Sequence, residues 1–94
     1  MKNVKFVSIG FGSLVNLDRV VAVINPDTLP SRRLISDARD AGNLLDATCG
    51  RKTRAIVVVD GGQIILCGLN TDTIASRLNL QQDLQKEDYS DEEE

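Results

Sequence analysis

The sequence predicts one small α+β domain with a mainly antiparallel sheet, one central helix and one C-terminal helix, and three observations carry that expectation. Short runs rich in β-branched residues recur between turn signals. Two segments place apolar residues at helical spacing, one mid-chain and one near the end. The chain has 94 residues, enough for one core and too few for two domains. Folding at this length buries roughly 60–65% of the unfolded surface, so the core is modest and subunit association is open. The expected body spans residues 1–80, followed by an acidic tail over 81–94.

Residues 4–9 alternate, with Val4, Phe6 and Ser8 against Lys5, Val7 and Ile9, and predict a strand covered on both faces. Gly10 and Gly12 bracket Phe11 and predict a sharp turn or bulge. Residues 13–17 are a short apolar piece. Residues 19–24 (RVVAVI) predict a second strand, which Asn25-Pro26-Asp27 ends. Pro30 opens a helix over about residues 30–41, capped by Asp27 or Thr28 and stopped by Gly42-Asn43. Its apolar stripe is Leu34, Ile35, Ala38 and Ala41. On the other face Arg33 and Asp37 stand four apart and can pair. Residues 44–48 predict a short strand, 53–59 the strongest strand, and 63–69 its hairpin partner across Asp60-Gly61-Gly62. Asn70 or Thr71 caps a last helix whose stripe is Ile74, Ala75 and Leu78, extending toward Leu80 and Leu84. From Lys86 the charged run KEDYSDEEE predicts disorder.

Several function classes are excluded by what the chain lacks. Aromatics make up 3% (Phe6, Phe11 and Tyr89), too few for binding by base stacking. No run approaches the ~20 apolar residues of a membrane span, and the first residues do not read as a signal peptide. A cytoplasmic protein is expected. There is no histidine, and Cys49 and Cys67 form no CxxC pair, so neither a zinc site nor a Cys–His nucleophile is available. Both cysteines are expected as small, partly buried, reduced residues. The run Ile9-Gly10-Phe11-Gly12-Ser13-Leu14-Val15 fails the dinucleotide fingerprint at Val15, and no P-loop lysine follows. Asp37 and Asp40 read as a solvated helix face. No enzyme, no cofactor, no metal and no small-molecule substrate is expected.

The charge is uneven. Residues 1–80 hold ten basic and seven acidic residues, a net +3, whereas residues 81–94 carry −6. Such a tail acts either as a solubility appendage or as a competitor for the basic surface. Gly50-Arg51-Lys52-Thr53-Arg54 sets three cations and a hydroxyl in a turn before a strand. A glycine turn exposes backbone N–H groups, and arginine and threonine donate to phosphate oxygens, so the turn suits a nucleic-acid backbone. Its bland alternative is a solvated hairpin tip. Arg51 and Lys52 are the better candidates, since Thr53 and Arg54 are expected to enter the strand, where Arg54 can pair with Asp46. Arg19 is a further candidate, with Asp18 as an alternative local partner. Arg32 and Arg33 lie in a first helical turn, where the helix dipole disfavours cations, and are expected to serve a partner subunit or DNA.

Taken together, KFVSIGFGSLV, INPDTLPSRRLISDARDAGNLLDAT and GRKTRAIVVVD resemble the RemA family of small bacterial regulators of extracellular matrix, over about residues 4–78. The resemblance implies a cytoplasmic, nucleoid-associated regulator of transcription that binds double-stranded DNA and is not an enzyme. It also implies a ring-like homo-oligomer presenting arginines to phosphate and minor groove, with bending or wrapping of the duplex. Arg19, Arg51 and Lys52 fall at the family's DNA-contacting positions, with Thr53 and Arg54 beside them. Lys52 replaces the usual arginine, keeping the charge and losing the planar, bidentate geometry. Cys49 stands where an aromatic is common. Pro30 and the DARD helix lie where subunit contact is expected, and the tail lies outside the match. The rival from another class is an oligomeric scaffold whose GRKTR turn takes a protein or a small anion.

Overall fold

The computed structural model describes residues 5–85. Its centre is a pair of strands, β5 (Ala55–Val59) and β6 (Ile64–Cys67), joined at Asp60-Gly61-Gly62 and paired antiparallel with Ile56 opposite Leu66 and Val57 opposite Ile65. β3 (Val20–Ile24) pairs antiparallel with the outer side of β5, and β4 (Leu44–Asp46) pairs parallel with β6. The four-stranded order is therefore β3-β5-β6-β4. The parallel β4–β6 pair is the departure from an all-antiparallel sheet. Before them in the chain, β1 (Phe6–Gly10) and β2 (Ser13–Asn16) form a separate antiparallel hairpin.

Both faces of the central strands are covered, which is why they read as continuous apolar runs. On one face α1 (Leu29–Ala41) lays Leu34, Ile35 and Ala38 on Ile56, Ile64 and Leu66. On the other, Val7, Ile9 and Val15 of the hairpin and Ile74 of α2 (Thr71–Gln85) meet Ala55, Val57, Ile65 and Cys67. Arg77 secures α2 by donating from Nη1 to the Ser8 carbonyl at 3.0 Å.

Local chemistry sets the boundaries. Thr28 Oγ1 caps α1 by accepting from the Ser31 amide, and the buried Ser31 hydroxyl donates to the Asn25 carbonyl at 2.6 Å. Gly42 closes the helix in the left-handed region at φ 78°. Asn70 Oδ1 caps α2 by accepting from the Thr73 amide at 2.8 Å. The register shifts between Ser8 and Gly10, so the glycine pair does build a bulge.

Several expectations are corrected. β1 is covered on one face, not two: Val7 and Ile9 are buried while Phe6 and Ser8 are exposed. Residues 13–17 supply β2 and then a 3-10 turn, Leu17–Arg19. Thr53 and Arg54 stay outside the strand, which begins at Ala55. Ala41 and Ala75 are exposed, so the α1 stripe runs through Ser31, Leu34, Ile35 and Ala38 instead. Arg33 and Asp37 form no ion pair among the described residues, and Cys49 is exposed. α2 continues to Gln85. The Leu80 and Leu84 side chains and the tail from residue 86 lie outside the described residues.

Ile56 is fully buried beneath α1 and Ala41 is exposed. Ile56→Ala is expected to cost about 2–5 kcal/mol in urea unfolding. Ala41→Ser is expected to stay within about 0.5 kcal/mol, and a larger loss would restore Ala41 to the core.

Candidate nucleic-acid interface

The basic turn is built from its flanks inward. The Ala47 amide donates to the Leu66 carbonyl at 2.9 Å, tying the chain to β6 beyond the end of β4. Thr48 is buried, and Asp46 Oδ1 accepts from both its hydroxyl (2.6 Å) and its amide (2.9 Å). The Arg51 amide returns to the Thr48 carbonyl at 3.1 Å. Between them Cys49 and Gly50 both adopt positive φ, 54° and 83°, which turns the chain back sharply. On the far side, the Arg54 amide donates to the Cys67 carbonyl at 2.8 Å. The cations therefore project from a turn whose backbone is fixed at both ends.

A second turn abuts the first. Cys49 Sγ donates to the Phe11 carbonyl at 3.5 Å, and the Arg51 guanidinium carbon lies 4.0 Å from the Phe11 ring centroid. Lys52, Thr53 and Arg54 point elsewhere. They line a polar depression of about 210 Å³ with Asn25, Asp27, Asn70 and Thr71. Arg54 makes no ion pair with Asp46, whose Oδ1 already serves Thr48.

Arg19 lies apart from this group. Its Nε donates to Asp60 Oδ1 at 2.7 Å, and its carbonyl accepts from the Asp60 amide at 2.9 Å. Asp60, not Asp18, is therefore its partner. Arg54 and Asp60 flank β5 at opposite ends, which at about 3.4 Å per residue separates them by roughly 20 Å. The five candidate residues thus fall into three places: Arg51 on Phe11, Lys52-Thr53-Arg54 at the depression, and Arg19 at the other end of the sheet.

Two residues that touch these candidates, Phe11 and Asp60, escape sequence reasoning as functional candidates. Both sit beside turn glycines, and nothing in the linear pattern links position 11 to 51. Burial pushes the Cys67 thiol up, against the Leu69 amide and the Arg77 charge, and its Sγ donates to the Ile9 carbonyl at 3.0 Å. The described residues contain no cluster of three potential metal ligands and no helix long and apolar enough to cross a membrane.

The Thr48 hydroxyl, and then its amide, hold the Asp46 carboxyl below the usual carboxylate value against a smaller opposing effect of desolvation. A carboxyl lowered in the folded state stabilises the turn above its unfolded pKa and loses that contribution as pH falls through the folded one. Thr48→Val is expected to raise the Asp46 pKa toward the ordinary value, as read by carboxyl-carbon NMR titration. An unchanged titration would show that the Thr48 hydroxyl does not hold the carboxylate.

The chain is similar in sequence to proteins of known name. A family model described as RemA-like (Extracellular matrix regulatory protein A-like) matches residues 6–78. Extracellular matrix regulatory protein A of Bacillus subtilis is 42% identical over 84 residues, covering 89% of this chain and 94% of that protein. A protein of Alkaliphilus metalliredigens named "Putative regulatory protein" is 47% identical over 77 residues, covering 82% of this chain and 83% of its own. One of the same name from Carboxydothermus hydrogenoformans is 42% identical over 86 residues, covering 92% of this chain and 98% of its own. The matched span runs from β1 into α2 and includes both turns. With that span and that identity, the chain belongs to the RemA-like family of regulatory proteins.

Proposed function

We propose that the chain is a regulator of transcription that binds duplex DNA through Arg51, Lys52 and Arg19, with Thr53 and Arg54 alongside, displayed on a homo-oligomer. One observation carries the reading: Arg51 and Lys52 project from a turn pinned at both ends, and no protein acceptor among the described residues takes their side-chain N–H groups. Pinned, unspent donors of this kind suit phosphate oxygens and a narrow minor groove. The separate position of Arg19 points the same way, because a small anion needs donors that converge, whereas a duplex is a long charged surface. The kinship with a protein named for extracellular matrix regulation makes biofilm matrix genes the expected targets, with the regulator at the nucleoid. Chemistry on a substrate has no place in this reading.

A body of net +3 holds DNA weakly as one copy, and several linked copies multiply the contacts. Association has surface available. Leu14, Val21, Leu29 and Leu45 are each more than half exposed, and β3 and β4 end the sheet with open edges. The polar depression beside Lys52 and Arg54 favours the second reading, a scaffold that takes a small anion or an acidic protein there.

The test is fluorescence anisotropy of A·T-rich and G·C-rich duplexes across a salt series, with light scattering for oligomer mass. Arg51→Ala/Lys52→Ala is expected to abolish binding while the mass stays unchanged. The salt slope is expected to lose about 0.9 for each phosphate contact removed. Affinity within about twofold of the unaltered chain would be too small a change for two charge-assisted contacts and would overturn the assignment. Pull-down with and without DNase separates the scaffold reading, because a partner bridged by DNA is lost.

A further inference from the structure

The glycine-bracketed turn at Phe11 lies beside the basic turn, and its construction is costly. Phe11 adopts φ 56°, a region that non-glycine residues seldom enter. Gly10 and Gly12 on either side are also at positive φ, and a Cβ on Gly68 would come within 2.8 Å of Phe11 Cε2. The missing side chain at Gly68 therefore makes room for the ring, and Gly10 and Gly12 permit the positive-φ turn that carries it. The ring is not used to fill the core, since Phe11 remains 38% exposed. What it meets is Arg51, 4.0 Å from centroid to guanidinium carbon.

We infer that Phe11 is a positioning residue for Arg51, holding its guanidinium ready before DNA arrives; the inference rests on the DNA-binding reading above. The attraction between a cation and a ring face engages the charge of the guanidinium without consuming its N–H donors. Among the described residues no acceptor takes those donors, so all five stay available to phosphate or base edges. Arginine has much rotamer freedom to lose on contact, and a side chain held beforehand loses less of it. Asp60 plays no such role at Arg19, because it occupies one N–H donor and brings a negative charge to the site. Lys52, with no ring beneath it, remains a free point charge. The scarcity of aromatics thus excludes stacking on bases without leaving Phe11 idle.

A double-mutant cycle on the full chain tests this, read by anisotropy of the A·T-rich duplex with light scattering and thermal melts alongside. Phe11→Leu is expected to weaken binding about three- to tenfold, and Phe11→Tyr, which keeps a ring, to stay within about twofold. In the Arg51→Ala background, Phe11→Leu is expected to have no further effect. An equal loss in both backgrounds would make Phe11 a structural residue or a direct DNA contact and overturn the inference. If Arg51→Ala weakens binding and Phe11→Leu does not, the positioning role alone fails. If the unaltered chain binds no duplex, or Arg51→Ala binds like it, the DNA-binding reading fails and takes the inference with it. Should Phe11→Leu not fold, NMR of the unaltered chain decides. The Arg51 Nε–H resonance is expected to carry a ring-current shift both free and duplex-bound, and loss of that shift on binding would overturn the inference.

Discussion

The burial of β5 and β6 on both faces is the constraint on which the rest of the structure depends. Ala55, Val57, Ile65 and Cys67 face the hairpin and α2, whereas Ile56, Ile64 and Leu66 face α1. Two strands that bury every side chain but the half-buried Val58 need two covering layers, which occupy most of a body this small. The connections are consequently short, and they are forced to the two ends of the sheet. One end receives the β1–β2 turn and the Gly50–Arg54 segment, and the other receives Asp60 and Arg19. The position of each cation follows from this layering rather than from any attraction among the cations.

Backbone strain gathers where the cations are presented. Phe11 and Cys49 are the two non-glycine residues at positive φ among the described residues, and a hydrogen bond joins them, Cys49 Sγ to the Phe11 carbonyl. A residue held there costs on the order of 1–3 kcal/mol and persists only where its surroundings fix it. Those surroundings are visible: Asp46 and Thr48 anchor one side, the Arg54 amide anchors the other, and Gly68 makes room for the ring. Placing the strain here yields a rigid base for Arg51 at a surface that carries little of the core.

Much of this architecture was legible because it follows from period and punctuation. The apolar run at 55–59, the glycine turn after Asp60 and the capped helix around Leu34 each leave a local signature. Burial that depends on a third element does not. Phe6 and Ala75 satisfy a pattern of apolar spacing, yet nothing among the described residues buries them, whereas Ser31 is polar and buried because the Asn25 carbonyl accepts from its hydroxyl. For the interface, the basic turn was readable as charge and glycine, but its partners were not. Arg19 meets Asp60 across 41 positions because β3 and β5 are neighbours, and Arg51 meets Phe11 because two turns share one end of the sheet. Such pairs are products of topology and leave no mark at short range.

The three places occupied by the cations differ in what they can offer a polyanion. At Arg19 an approaching phosphate also meets the Asp60 carboxylate 2.7 Å from Nε, although both side chains are more than half exposed and such a pair is worth at most about 1 kcal/mol. That contact can be exchanged, but its gain is reduced by what it replaces. Lys52 offers a hydrated point charge that gives up water and freedom to bind. Arg51 alone combines a fixed backbone, a ring beneath the guanidinium and unspent donors. If DNA is the ligand, one strong contact and two weaker ones per copy would not make a tight site, and screening over about 8–10 Å would keep distant charges from compensating. In the DNA-binding reading, affinity therefore has to come from repetition. Copies joined through the exposed apolar residues of the sheet edges and helix would bring successive Arg51 side chains to one duplex at high effective concentration. On that reading, a site useful only in multiples would favour an assembly binding a long stretch of duplex over a monomer reading a short one.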